Sequence, residues 1–112
     1  MVSSPDHESS FLQQVDRLLE DLVARFDRFD PDELEAELSQ GVLRLTFADG
    51  KKCILNRQSA ASQVWLAEGA TAWHFAFDAA QGCWVDTKGR GELRAILASV
   101  IGRKLGRPVD LS

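Results

Sequence analysis

Apolar residues recur along this chain in two rhythms, and the order of those rhythms outlines a fold. Phe11, Val15, Leu18, Leu19, Leu22 and Phe26 return every three or four positions, which at about 100° per residue gathers them on one side of a helix. Ser3-Ser4-Pro5-Asp6 offers a start, with Ser4 as the cap and Pro5 at the first helical position. Ser9 and Ser10 are alternative caps. Asp30-Pro31 predicts the end near Phe29, because a residue preceding proline is pushed out of the helical region.

The period then changes to two. Leu34, Ala36 and Leu38 alternate with Glu35 and Glu37, a short strand with carboxylates on its outer face. Ser39-Gln40-Gly41 turns the chain, and Leu43, Leu45 and Phe47 alternate with Arg44 and Thr46. Asp49-Gly50 reads as a two-residue hairpin loop, with residues 51–56 as the returning strand. That loop would set Ala48 opposite Lys51, Ile54 in the core beside Leu45, and Cys53 across from Thr46. Gln63 to Ala67 and Trp73 to Phe77 predict two more strands, separated by Glu68 to Ala72. Ala79-Ala80-Gln81-Gly82 turns into a last short strand containing Trp84 and Val85.

From Glu92 the helical period returns in Leu93, Ile96, Leu97, Val100, Ile101 and Leu105, and Gly106 with Pro108 stops it. Helix, five or six hairpin-joined strands, helix is an α+β order. It predicts a two-layer sandwich, an antiparallel sheet with the N- and C-terminal helices on one face and the other face partly wet. Residues 1–112 form a single domain on this reading, with 1–8 as a partly ordered N-terminal extension.

Composition narrows the function. An apolar share of 45% and a charged share of 27% belong to a chain able to bury a core rather than to a disordered one. No apolar run approaches the length of about 20 residues that a membrane span needs. Asp6 and Glu8 stand where a signal peptide would be cationic, so a cytoplasmic location is expected. Cys53 and Cys83 lie in neither a Cys-x-x-Cys pair nor a zinc spacing and read as two buried, reduced thiols.

Charge is distributed unevenly. Residues 1–40 hold eleven acids against three arginines, whereas residues 41–112 hold six acids against ten lysines and arginines. An acidic end repels nucleic acid and attracts metal cations or basic protein surfaces. On a helical wheel Asp16, Glu20 and Asp27 fall within about 40° of one another. Asp30, Asp32 and Glu33 continue from the helix end, and Glu35 and Glu37 project from the adjoining strand. Such oxygen ligands accept ferrous, ferric and other hard or borderline cations, weakly and with little selectivity, since no imidazole or thiolate joins them. A calcium loop is excluded: counting from Asp30, the sixth position is Glu35 where glycine is needed and the twelfth is Gly41 where glutamate is needed. His7 and His74 are not spaced for a two-histidine redox centre. His7 is a candidate nitrogen ligand beside the acids, or a solvated side chain. Trp73 and Trp84 are expected in the core.

Gly41-Val42-Leu43-Arg44-Leu45-Thr46-Phe47, Asp49-Gly50, Asn56-Arg57-Gln58 and, four residues later, Gln63-Val64-Trp65-Leu66-Ala67 together resemble the frataxin family, specifically its bacterial branch. The resemblance covers Phe11 to about Leu105, acidic first helix included. It implies a non-catalytic role in iron-sulfur cluster biogenesis: weak binding of iron (Fe2+ or Fe3+) on the acidic ridge, and contact with a cysteine desulfurase and the iron-sulfur scaffold protein. Donation of iron and regulation of the desulfurase both stay open. The metal-binding residues it implies are Asp16, Glu20, Asp27, Asp30, Asp32, Glu33, Glu35 and Glu37. Ala24 and Arg28 interrupt that ridge where the family carries acids, which implies fewer or weaker sites. The partner-binding residues it implies are Asn56, Gln58 and Trp65 on the sheet surface, with Glu35 and Glu37. A monomer is implied, with iron-dependent oligomers left open, and neither nucleic acid nor membrane is a partner.

Overall fold

The computed structural model describes residues 4–112, with side chains described from Ser10 onward. The expectation for residues 1–8, and any ligand role for His7, therefore lie outside the residues whose side chains are described. Helix α1 (Ser4–Phe26) is followed by strands β1 (Leu34–Ser39), β2 (Val42–Phe47), β3 (Lys52–Gln58), β4 (Gln63–Glu68), β5 (Thr71–Asp78) and β6 (Cys83–Asp86), and by helix α2 (Leu93–Leu105). The strands form one antiparallel meander in chain order.

Both amphipathic helices cover the same face. Val15, Leu18, Leu19, Leu22 and Phe26 of α1, with Leu93, Leu97, Val100 and Ile101 of α2, are buried in one cluster with Leu43, Leu45, Leu55, Val64, Leu66, Phe75 and Trp84 of the sheet. Trp73 and Trp84 lie in this core as expected. Each large side chain so enclosed stabilises the fold by about 1.5–3 kcal/mol relative to exposure. α1 ends at Phe26 rather than near Phe29. The amides of Arg28 and Phe29 bond three residues back, to Arg25 and Phe26, so the last turn tightens while the Phe29 ring stays packed on Phe26 at 5.6 Å.

The expected pairing of β2 with β3 is off by one residue. Phe47 donates to the Lys51 carbonyl and accepts from the Gly50 amide, which makes Ala48-Asp49-Gly50 a three-residue loop with Gly50 at φ +83°. A single extra loop residue flips every side chain on the returning strand. Cys53 consequently faces Leu45 and Ile54 faces Arg44. Cys53, not Ile54, is the core residue, and Ile54 lies half-buried on the wet face.

The β5–β6 end is fastened by a buried acid. Asp86 accepts hydrogen bonds from the amides of Lys88 and Arg90 and from the Arg90 side chain, Nε at 2.8 Å. Arg90 in turn donates to the Ala72 carbonyl at 3.0 Å and lies over the Trp73 ring. β6 is also flanked by a bridge from Val85 to Glu92, and Glu92 caps α2 by accepting from the Arg94 and Ala95 amides. Beyond α2 the chain folds back so that Leu111 enters the core, with its carbonyl accepting from Arg94 Nη1.

Candidate functional site

Strand alternation sorts the polar residues of this sheet by face. Even positions of β3 and odd positions of β4 point away from the helices. Asn56, Gln58 and Trp65 therefore share the open face, and Asn56 and Trp65 are direct partners in the β3–β4 register. Trp65 is half-buried. Its indole N–H donates to Gln63 Oε1 at 2.7 Å, and its ring stacks on His74 with centroids 4.1 Å apart and planes inclined by 11°. His74 is the partner of Trp65 across β4–β5. The sequence singles out the tryptophan and gives His74 no role beyond its strand. The signal for their contact was Gly69-Ala70, a two-residue loop with glycine first, whose closure sets Glu68 against Thr71 and hence Trp65 against His74.

The eight acids expected on the ridge are all charged surface groups, in three different situations. Asp16 and Glu20 project from α1, Asp27, Asp30 and Asp32 from the connection to β1, and Glu35 and Glu37 from the outward face of β1; all are exposed, while Glu33 is half-buried. Arginines engage three of them. Asp16 meets Arg57 at 3.7 Å, Glu37 accepts from Arg44 Nη1 at 2.9 Å across the β1–β2 pair, and Glu33 accepts from Arg107 Nη2 at 2.9 Å. The Arg107 hydrogen bonds hold the Glu33 carboxyl below its usual range. Among the described residues, Glu20, Asp27, Asp30, Asp32 and Glu35 have no such ion pair. Asp30 Oδ1 accepts the Asp32 amide at 2.9 Å.

Among the described residues, no three acid, histidine or cysteine side chains converge on a point where one metal ion would sit. The unpaired carboxylates are a row of separated oxygen donors that keep their water. Such separated oxygens do not build a closed coordination shell. Sequence reasoning found the acids and missed the arginines opposite three of them, because Arg44, Arg57 and Arg107 come from other elements of the fold.

Neither thiol forms a second centre. Burial, with the Glu68 charge adding to it, pushes the Cys53 thiol up to about 12. Cys83 is only half-buried, which corrects the expectation of two buried thiols; desolvation and the charges of Glu92 and Asp78 raise it as well. Both cysteines are free, and a thiol held protonated is a poor nucleophile and a poor metal ligand. Among the described residues, no helix is long and apolar enough to cross a membrane.

Comparison with known proteins matches residues 4–107 to the family described as Frataxin-like domain. The "Iron-sulfur cluster assembly protein CyaY" of Thioalkalivibrio sulfidiphilus is 38% identical over 103 residues, which cover 91% of this chain and 96% of the relative. The protein of the same description from Delftia acidovorans is 33% identical over 108 residues, covering 94% and 96% respectively. Among solved structures, the frataxin from Psychromonas ingrahamii superposes with a TM-score of 0.84 at 26% identity, over 94% of this chain and 97% of that one.

Proposed function

The chain belongs to the frataxin family, and from that premise we propose that it serves iron-sulfur cluster assembly in the cytoplasm, as a non-catalytic protein that carries iron weakly and regulates a cysteine desulfurase. One observation carries the reading. Glu35 and Glu37 are exposed on the outer face of β1, the same face of the same sheet that presents Asn56, Gln58 and Trp65. A partner laid across that face meets charge at the β1 edge and an aromatic anchor flanked by amides at the centre, the composition expected of a docking surface. The desulfurase and the scaffold protein are the partners this reading names, with iron on the neighbouring acids as the signal or the cargo.

The test is cysteine desulfurase turnover with and without this protein, each with and without ferrous iron. An iron-dependent change in turnover is the expected result. A rate identical in all four mixtures, with no binding between the proteins, would remove the proposal.

The separation of the acids supports a second reading, an acidic adaptor that binds the desulfurase through charge alone and takes up iron incidentally. Replacing Asp27, Asp30 and Asp32 by Asn separates the two. A variant that loses iron yet still modulates the desulfurase favours the adaptor, and joint loss favours the iron-dependent regulator.

A further inference from the structure

An aromatic anchor binds well when it is rigid before the partner arrives, because ordering a mobile side chain on binding subtracts from affinity. Trp65 is restrained in two independent ways. Gln63, two residues earlier on β4 and on the same face, accepts its only hydrogen-bond donor. His74, directly opposite on β5, stacks on one face of the ring in a nearly parallel arrangement. Stacking of this kind adds to the contact beyond simple area burial. On the other side of β4, Asn56 of β3 is the register partner of Trp65. With the indole N–H already satisfied by Gln63, the ring rather than its donor is what Trp65 can offer a partner.

We propose that His74 is the positioning residue of the proposed docking surface: it fixes the Trp65 ring on the open sheet face before the partner arrives. This rests on the docking role of the open sheet face put forward above. It assigns to His74 a part in partner binding through Trp65, and it makes recognition at Trp65 a matter of the ring rather than of the indole N–H. The partner is the desulfurase–scaffold complex of the proposed function.

The experiment uses the full chain in four forms: wild type, Trp65→Ala, His74→Ala and His74→Phe. Binding to the desulfurase–scaffold complex is measured by calorimetry, and 19F NMR of 5-fluorotryptophan-labelled protein follows Trp65 beside Trp73 and Trp84, with the Trp65 signal assigned from the Trp65→Ala spectrum. His74→Ala is expected to bind about fivefold more weakly, equivalent to about 1 kcal/mol, and to shift or broaden the Trp65 resonance alone. His74→Phe, which keeps a stacking ring, is expected to restore both. Unchanged Trp73 and Trp84 signals show that the core is intact. Wild-type affinity in His74→Ala, or equal weakening in His74→Phe, overturns the positioning role while leaving the docking role standing. Absence of binding by the wild type overturns the docking role, and the positioning role with it.

Discussion

The guanidinium of Arg57 crosses Gly41 and reaches the Asp16 carboxylate on α1, 3.7 Å away. In the chain Arg57 stands between Asn56 and Gln58, yet strand alternation sends it to the helix side while its neighbours face outward. Three consecutive residues thus divide between holding the two layers together and presenting a surface. A β-carbon at Gly41 would lie 2.9 Å from Arg57 Cζ and 3.3 Å from Arg57 Cβ, on backbone at φ +79°. Gly41→Ala is expected to destabilise by about 1–2 kcal/mol, from left-handed backbone strain together with displacement of Arg57. Arg57→Ala is expected to cost less than about 1 kcal/mol, as a long and partly exposed ion pair contributes little. Thermal melts of the two variants check the order; a larger loss for Arg57→Ala would show that the ion pair, not the backbone, dominates.

Acid stability should depend on Asp86. The Arg90 side-chain hydrogen bonds, opposed by burial and helped by the Arg90 and Lys88 amides, bring its carboxyl from 3.8 down to about 2. A carboxyl depressed on folding contributes stability above its unfolded value, and that contribution is lost as pH falls from about 4 toward about 2. Asp86→Asn is therefore expected to lose about 2 kcal/mol at neutral pH and to flatten the acid limb of the stability curve in that window. Chemical denaturation from pH 7 to pH 2 measures both; parallel curves for wild type and variant would contradict the assignment.

Thiol reactivity should separate the two cysteines. Cys53 is fully enclosed opposite Leu45 and its thiol is pushed up to about 12, so the thiolate needed for attack is scarce. With a chromogenic disulfide at pH 8, the native protein is expected to titrate slowly to one thiol, Cys83, and to two after addition of urea. Immediate reaction of both would mean that β3 is not held in the observed register.

Salt should report which part of the proposed docking surface is electrostatic. Glu35 is exposed and has no ion-pair partner among the described residues, whereas Glu37 is already engaged by Arg44. Rim charges act mainly on association rate and are screened over about 8 Å at physiological ionic strength. Glu35→Gln is expected to reduce the association rate with the desulfurase and its salt dependence more than Glu37→Gln does. Stopped-flow association at two salt concentrations checks this, and a larger effect at Glu37 would place the partner's cations over the β1–β2 pair instead.

The elements were legible in the sequence because each depends on local periodicity. The apolar stripes of Phe11–Phe26 and Leu93–Leu105 and the alternations around Leu34, Leu45 and Val64 all became the elements they imply. Register was not legible at Asp49-Gly50, because those residues satisfy a two-residue loop and the end of a three-residue one equally well, and the choice moved Cys53 and Ile54 to opposite faces. The acids of the candidate site were legible by position and charge. Their pairing with Arg44, Arg57 and Arg107 was not, since Arg57 and Arg107 lie 41 and 74 positions from their acids and only the tertiary fold brings them close. The Asp86–Arg90 knot lies in an irregular loop, where no periodicity exists to announce it.

β1 is an end strand of the sheet, and end strands offer backbone groups on which another chain can build. Two copies joined edge to edge through β1 would bring Glu35 and Glu37 of one against the same pair of the other across a narrow seam, with Arg44 offsetting only the Glu37 charges. The glutamates assigned to the proposed docking surface would therefore also oppose extension of the sheet by a second copy. A cation bridging the seam would weaken that protection, and neutralising both glutamates should leave the chain more prone to self-association when concentrated.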